Sequence, residues 1–243
     1  MDDDLAAVVF DYGDTLMSFA YDDATQVRSL AMLLDHLGVT GVDGGQLFAE
    51  VERRFGPALE ARGGDGEMDY AELVRVALVA LDLGVGRQAL VAALRAGHRV
   101  WDDKVTVLPE ALELLRGVRQ RGLAVGLVSN AIDPGELMRE DMALHGIADL
   151  VDVAVFSSEL GIRKPHPGIY HHVLAGLGVA PWQALFVGDR VLEDVIGPAR
   201  IGMRTCLATY LRDDAGDHSL ADHIAEHPLD VLRIVDYANQ GHG

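Results

Sequence analysis

The chain has 243 residues, 49% hydrophobic and 24% charged, which excludes a disordered or membrane-embedded polypeptide. Its formal net charge of −18 argues against nucleic acid or an anionic membrane surface as a partner. Cys206 is the only cysteine, so an internal disulfide framework and a cysteine zinc cluster are both excluded.

Met1-Asp2-Asp3-Asp4 is the opposite of a basic leader, and no apolar run is long enough to span a bilayer, so the expected location is the cytoplasm. The first predicted strand is the apolar run Ala7-Val8-Val9-Phe10, which stops on Asp11. Four apolar residues bounded by Asp and Gly read as a strand buried on both faces. Asp11 then sits where the carboxyl end of the strand opens into a loop, which is where open parallel sheets bind ligands. A carboxylate there can coordinate a cation or attack an electrophile, and Gly13 lets the backbone bend close to whatever is bound. Taken alone, the stretch reads better as a capping aspartate at a turn.

From Asp22 to about Trp101, apolar residues recur at helical spacing in four segments. These are Val27, Leu30, Leu34 and Leu37; Leu47, Val51, Phe55 and Leu59; Leu73, Val76 and Ala80; and Leu90 and Leu94, separated by glycine-rich breaks. The pattern predicts a helical lobe over residues 17–101, inserted into an α/β domain built from 1–16 and 102–243. Beyond Leu108 the period alternates. Helices are predicted over 109–120, 134–144, 167–177 and 192–201, with strands over 123–128, 151–156, 184–187 and 204–207. That alternation means βαβ units and a parallel sheet. A polar loop at 213–219, a short strand near 223–224 and a last helix over 228–237 complete the chain.

Four predicted strand ends carry polar groups suited to chemistry. Asp11 is the first, and Ser129-Asn130 follows the apolar run 123–128. Lys164 lies in Arg163-Lys164-Pro165-His166-Pro167, and Gly188-Asp189 is followed by Glu193 and Asp194. Each is weak alone, because hydroxyls and aspartates cap helices routinely. All four in this order, each near the end of a parallel strand, form a strong signal.

With these motifs the sequence resembles the haloacid dehalogenase superfamily over essentially its whole length. The similarity is carried by Phe10-Asp11-Tyr12-Gly13-Asp14-Thr15-Leu16, Val128-Ser129-Asn130, the Arg163–Pro167 segment and the run from Val187 to Gly197. The resemblance implies a Rossmann-like parallel sheet with an inserted all-α cap and does not fix the substrate; a small phosphorylated metabolite is the expected one. The resemblance also implies attack by Asp11 on phosphorus, with an aspartyl-phosphate hydrolysed by water. Mg²⁺ would be held by Asp11, the Gly13 carbonyl and Asp189, with Asp194 acting through a water. Lys164 would neutralise Asp11 and the phosphoryl group. Ser129 and backbone NH groups near Asn130 would hold phosphate oxygens, and Thr15 would brace the loop at the substrate-binding end.

One position departs from the family's phosphatases. They carry a second aspartate two residues after the nucleophile as general acid and base, and here that residue is Gly13. Asp14 acting through a water, a good leaving group, or a substrate that donates its own proton would each compensate. The phosphonatase branch needs a cap lysine, and none occurs from Met17 to Trp101; the only lysines are Lys104 and Lys164. The dehalogenase branch shares Ser-Asn and lacks the second aspartate, but it needs no metal. Asp189, Glu193 and Asp194 would then crowd Asp11 with uncompensated charge. The expectation is a metal-dependent phosphatase, with a dehalogenase or a non-catalytic phosphometabolite-binding protein as alternatives. In the helical lobe, Arg53, Arg54, His98 and Arg99 could reach an anionic substrate or form a solvated face. Tyr12, Met17 and Phe19 could line the entrance or simply pack. His166, His171 and His172 lack acidic partners at ligand spacing, and no zinc site is expected.

Overall fold

The computed structural model of the chain describes residues 4–61 and 63–240; the acidic start at Met1–Asp3 lies outside the described residues. Six parallel strands form the central sheet: β1 (Ala7–Phe10), β4 (Ala124–Ser129), β5 (Val153–Phe156), β6 (Ala184–Gly188), β7 (Arg204–Ala208) and β8 (His223–Ala225). Their order is β5-β4-β1-β6-β7-β8. β1 is central because all four of its residues are apolar and buried, so it can be covered on both faces and paired on both edges. Alternate side chains feed separate cores: Val8 and Phe10 join one face, Ala7 and Val9 the other. The chain reverses strand order across β1, so the loops after β1, β4 and β6 open side by side.

The chain from residue 23 to residue 98 carries four helices, α1 (Asp23–His36), α2 (Gly44–Ala61), α3 (Tyr70–Ala80) and α4 (Arg87–His98). They enclose an apolar cluster of their own around Leu30, Leu47, Val51, Leu78 and Leu90. The buried face of α3 is Leu73, Val74, Ala77 and Leu78. Val76 and Ala80 point to solvent, and Leu59 is exposed, against the expected stripes. α3 is so rich in Ala, Leu and Val that several stripes fit its sequence, and contact with α2 and α4 selects one.

A two-stranded antiparallel ribbon, β2 (Met17–Phe19) with β3 (Val105–Val107), joins the two chain crossings between the helices and the sheet. Three-residue strands leave no readable alternation, so sequence did not anticipate it. The sheet is flanked by α5 (Ala111–Gln120), α6 (Gly135–Leu144), α7 (Ser157–Leu160), α8 (Pro167–Leu177), α9 (Gly197–Ala199) and α10 (Asp230–Gln240). No helix among the described residues is long and apolar enough to cross a membrane.

A second tie binds the loop before α3 to the loop before α8. Glu67 N–H donates to the Gly161 carbonyl at 2.9 Å, and Arg163 N–H to that of Asp65 at 2.9 Å. The buried Glu67 carboxylate accepts from Ser157 Oγ at 2.7 Å and pairs with Arg163 at 3.8 Å. Lys164 follows directly, so this strap fixes the loop that carries it. Glu67→Ala should therefore destabilise the fold by about 1–3 kcal/mol through the partners it leaves unsatisfied. Denaturant unfolding of the variant beside the native chain measures this.

Candidate active site

Asp11 is the first residue beyond β1, and its N–H donates to the Val187 carbonyl at 2.8 Å, which holds it at the β1–β6 seam. Lys164 Nζ lies 2.7 Å from Asp11 Oδ1 and 2.6 Å from Asp194 Oδ1, fully buried above the Phe186 ring. The lysine backbone is clamped by Asn130, whose Oδ1 accepts from Lys164 N at 2.8 Å and whose Nδ2 donates to Lys164 O at 3.2 Å. The loop after β4 thus positions the loop before α8.

Asp194 reaches the lysine because the chain after β6 forms a π-helical turn over Val191–Ile196 where an ordinary helix was expected. Such wider turns are found mostly at functional sites. The other Asp194 oxygen accepts from Arg190 N at 2.9 Å. Gly188 makes room for this side chain: a Cβ there would lie 2.4 Å from Asp194 Cγ.

Asp11, Asp189 and Asp194 each offer an oxygen, all within 4.8 Å of one another. Asp189 is 1% exposed, and neither of its oxygens has a hydrogen-bond partner. Its nearest cation is Arg212 Nε at 3.6 Å, beyond hydrogen-bond reach. Burial and the Asp11 charge hold the Asp189 carboxyl well above the usual carboxylate range. Asp194 is also raised, by burial, although the Lys164 charge opposes the shift. Burial pulls the Lys164 ammonium down, but the Asp11 and Asp194 charges outweigh it and raise its pKa. One buried lysine cannot balance three carboxylates. The orphaned oxygens of Asp189 and the all-oxygen donor set fit a hard divalent cation.

Beside this cluster a cavity of about 630 Å³ opens between the sheet and the helices. Its wall includes Gly13, Ser129 and Asn130, with Tyr12, Met17 and Phe19 also on it. His98 also lines it, with Nε2 2.7 Å from Asp141 Oδ2. Arg53 and Arg54 instead fold back onto Glu50 of their own helix, and Arg99 is absent from the wall. Thr15 is fully buried with its hydroxyl unpartnered, while its carbonyl accepts from the Tyr210 hydroxyl at 3.0 Å. Asp14 adopts a left-handed backbone at φ 54° and pairs with Arg212 at 3.9 Å. Glu193 is engaged by Arg163 at 3.5 Å and Arg190 at 3.7 Å. His166 caps α8 by accepting from Gly168 N, and His171 and His172 are exposed. Sequence reasoning missed Arg212 and Tyr210, because both follow β7 and carry no local motif.

A family profile for haloacid dehalogenase-like hydrolases matches residues 5–202. The chain is 30% identical over 216 residues to the phosphatase MT3486 of Mycobacterium tuberculosis, covering 87% of this chain and 89% of that protein. A phosphoserine phosphatase from Thermus thermophilus is 38% identical over 96 residues, which are 40% of this chain and 38% of the relative's length. Among solved structures, a 2-haloacid dehalogenase from Pseudomonas syringae pv. Tomato superposes with a TM-score of 0.67 at 21% identity, covering 96% of this chain and 99% of that one; this likeness concerns the fold. The chain belongs to the haloacid dehalogenase-like hydrolase family.

Proposed function

We propose that the chain is a magnesium-dependent phosphatase that transfers phosphate from a small phosphorylated metabolite to Asp11 and then to water. The observation that carries this reading is Asp189, a buried carboxylate without a hydrogen bond beside two others. Dehalogenation would have no use for that surplus charge, whereas a cation bound for phosphoryl transfer offsets it. Residues 17–101 act as the cap that covers the substrate and excludes water.

The chemistry follows from the positions of the side chains. Lys164 holds Asp11 Oδ1, which leaves the second carboxylate oxygen for in-line attack on phosphorus. As the Asp11 O–P bond forms, the ester P–O bond breaks and the leaving oxygen takes a proton from water. A second water then cleaves the acyl phosphate, releasing inorganic phosphate and restoring Asp11. Ser129, the last residue of β4, and the neighbouring backbone orient the phosphoryl oxygens. Asp11, Asp189 and the Gly13 carbonyl would hold a divalent cation, with Asp194 behind them, and the cation would supply the charge that lets two anions meet.

Three variants, together with removal of the metal, test the assignment. Asp11→Asn should lower phosphate release by at least about 1,000-fold while the circular dichroism spectrum is retained; full activity would sink the reading. Chelator should abolish activity, and Mg²⁺ should raise the thermal midpoint of the native chain but not of Asp189→Asn. The metal-free variant should exceed the metal-free native chain in stability by about 1–3 kcal/mol, because it removes an unpaired buried charge. A Cβ on Gly13 meets no atom within 4 Å, so Gly13→Asp fits sterically. It should gain roughly 100-fold on alkyl phosphates and far less on an activated aryl phosphate, as a new general acid would. Steady-state kinetics on the two substrate types reads the difference.

A further inference from the structure

The cavity wall has a composition that phosphate binding does not explain. Beyond the loops that face the phosphoryl group, its lining includes five acidic residues, Asp133 and Asp141 partly buried and Asp23, Glu52 and Asp102 exposed. Among the described residues it includes no lysine and no arginine. Its basic side chains are His98 and His145, and His98 is committed to Asp141. Burial lowers the His98 pKa, but the bond to Asp141 and the charge of Asp133 outweigh this and raise it. The Asp133 main-chain carbonyl accepts from Ser158 Oγ at 2.7 Å, and burial pushes the Asp133 carboxyl up.

Two polar atoms of residues on the wall are buried without hydrogen-bond partners. The Tyr12 hydroxyl is buried without a hydrogen-bond partner, on a residue 1% exposed, and it lies in the field of Asp141. His145 Nε2 likewise has none. Around them the wall is aromatic. Trp101 stacks with Tyr21 at 5.5 Å between ring centroids and an interplanar angle of 18°, and Phe19 lies 5.2 Å from Trp101.

This wall sorts ligands by charge. A second phosphate or a carboxylate would face carboxylates and find no cation to pair with. A neutral polyol would leave the Asp133 charge without a counter-ion. An organic cation would satisfy Asp133 and the aromatic wall together, through an ion pair and through attraction to the ring faces.

We propose that the substrate is the phosphate monoester of an amino alcohol, with its ammonium group received by Asp133 and the Tyr21–Trp101 aromatic wall while its phosphate meets Asp11. The proposal rests on the phosphatase reading and names the substrate class of that same site.

The test compares kcat/KM for O-phosphoethanolamine and phosphocholine with their neutral isosteres, propyl phosphate and 3,3-dimethylbutyl phosphate. The anionic 3-phosphoglycerate and an activated aryl phosphate complete the set, all with Mg²⁺. The expected result is at least a tenfold preference for one cation over its isostere, with 3-phosphoglycerate the poorest alkyl substrate. In Asp133→Asn that preference should fall towards one, through a rise in KM for the cation, and Trp101→Leu should reduce it independently. Equal or better turnover of the isosteres or of 3-phosphoglycerate overturns this inference and leaves the phosphatase reading intact. No release from any ester, the aryl phosphate included, overturns both.

Discussion

The site depends on a lysine buried between two carboxylates. Removing an ammonium from water costs several kcal/mol, so Lys164 is stable at the base of the sheet only because Asp11 and Asp194 both reach it within hydrogen-bond distance. That requirement fixes much of the surrounding backbone. Asp11 must follow β1 directly, Asn130 must hold the lysine main chain, and the chain after β6 must widen into a π-helical turn to deliver Asp194. Gly188 is the steric condition for that delivery. Asp189 is then left as the excess charge, and it is the one group in the cluster that the protein's own atoms do not satisfy.

The molecule separates two electrostatic tasks that lie side by side. At the strand ends, an excess of carboxylate oxygens surrounds a single lysine and suits a divalent cation. In the cavity, the carboxylates are spread along an aromatic wall and have only histidines for basic company. The net charge of −18 is therefore not simply a solvated surface, since part of it is turned inward where water is scarce and each charge acts more strongly.

What was legible in sequence is what depends on neighbours along the chain. Val8, Val9 and Phe10 announce a doubly covered strand, and the order of Asp11, Ser129, Lys164 and Asp189 marks the ends that meet. What depended on neighbours in space was not. The β2–β3 ribbon pairs segments on opposite sides of the helical lobe, and the buried face of α3 is chosen by α2 and α4. Arg212 reaches Asp14 and Asp189 from the loop after β7, although nothing in its own segment distinguishes it from other surface arginines.

Gly13 brings these threads together. An open space surrounds the place its side chain would occupy, so packing does not require glycine there. The neighbouring Asp14 cannot simply stand in for a missing acid, because its left-handed backbone turns the carboxylate towards Arg212. At Gly13 the loop after β1 thus presents main chain, and no carboxylate, to the junction between the metal-fitting cluster and the cavity. A carboxylate at that junction would add one more negative charge beside Asp11 and Asp189, where a lone buried lysine already fails to balance the charge. The glycine relieves that crowding and leaves this position of the loop without a proton donor.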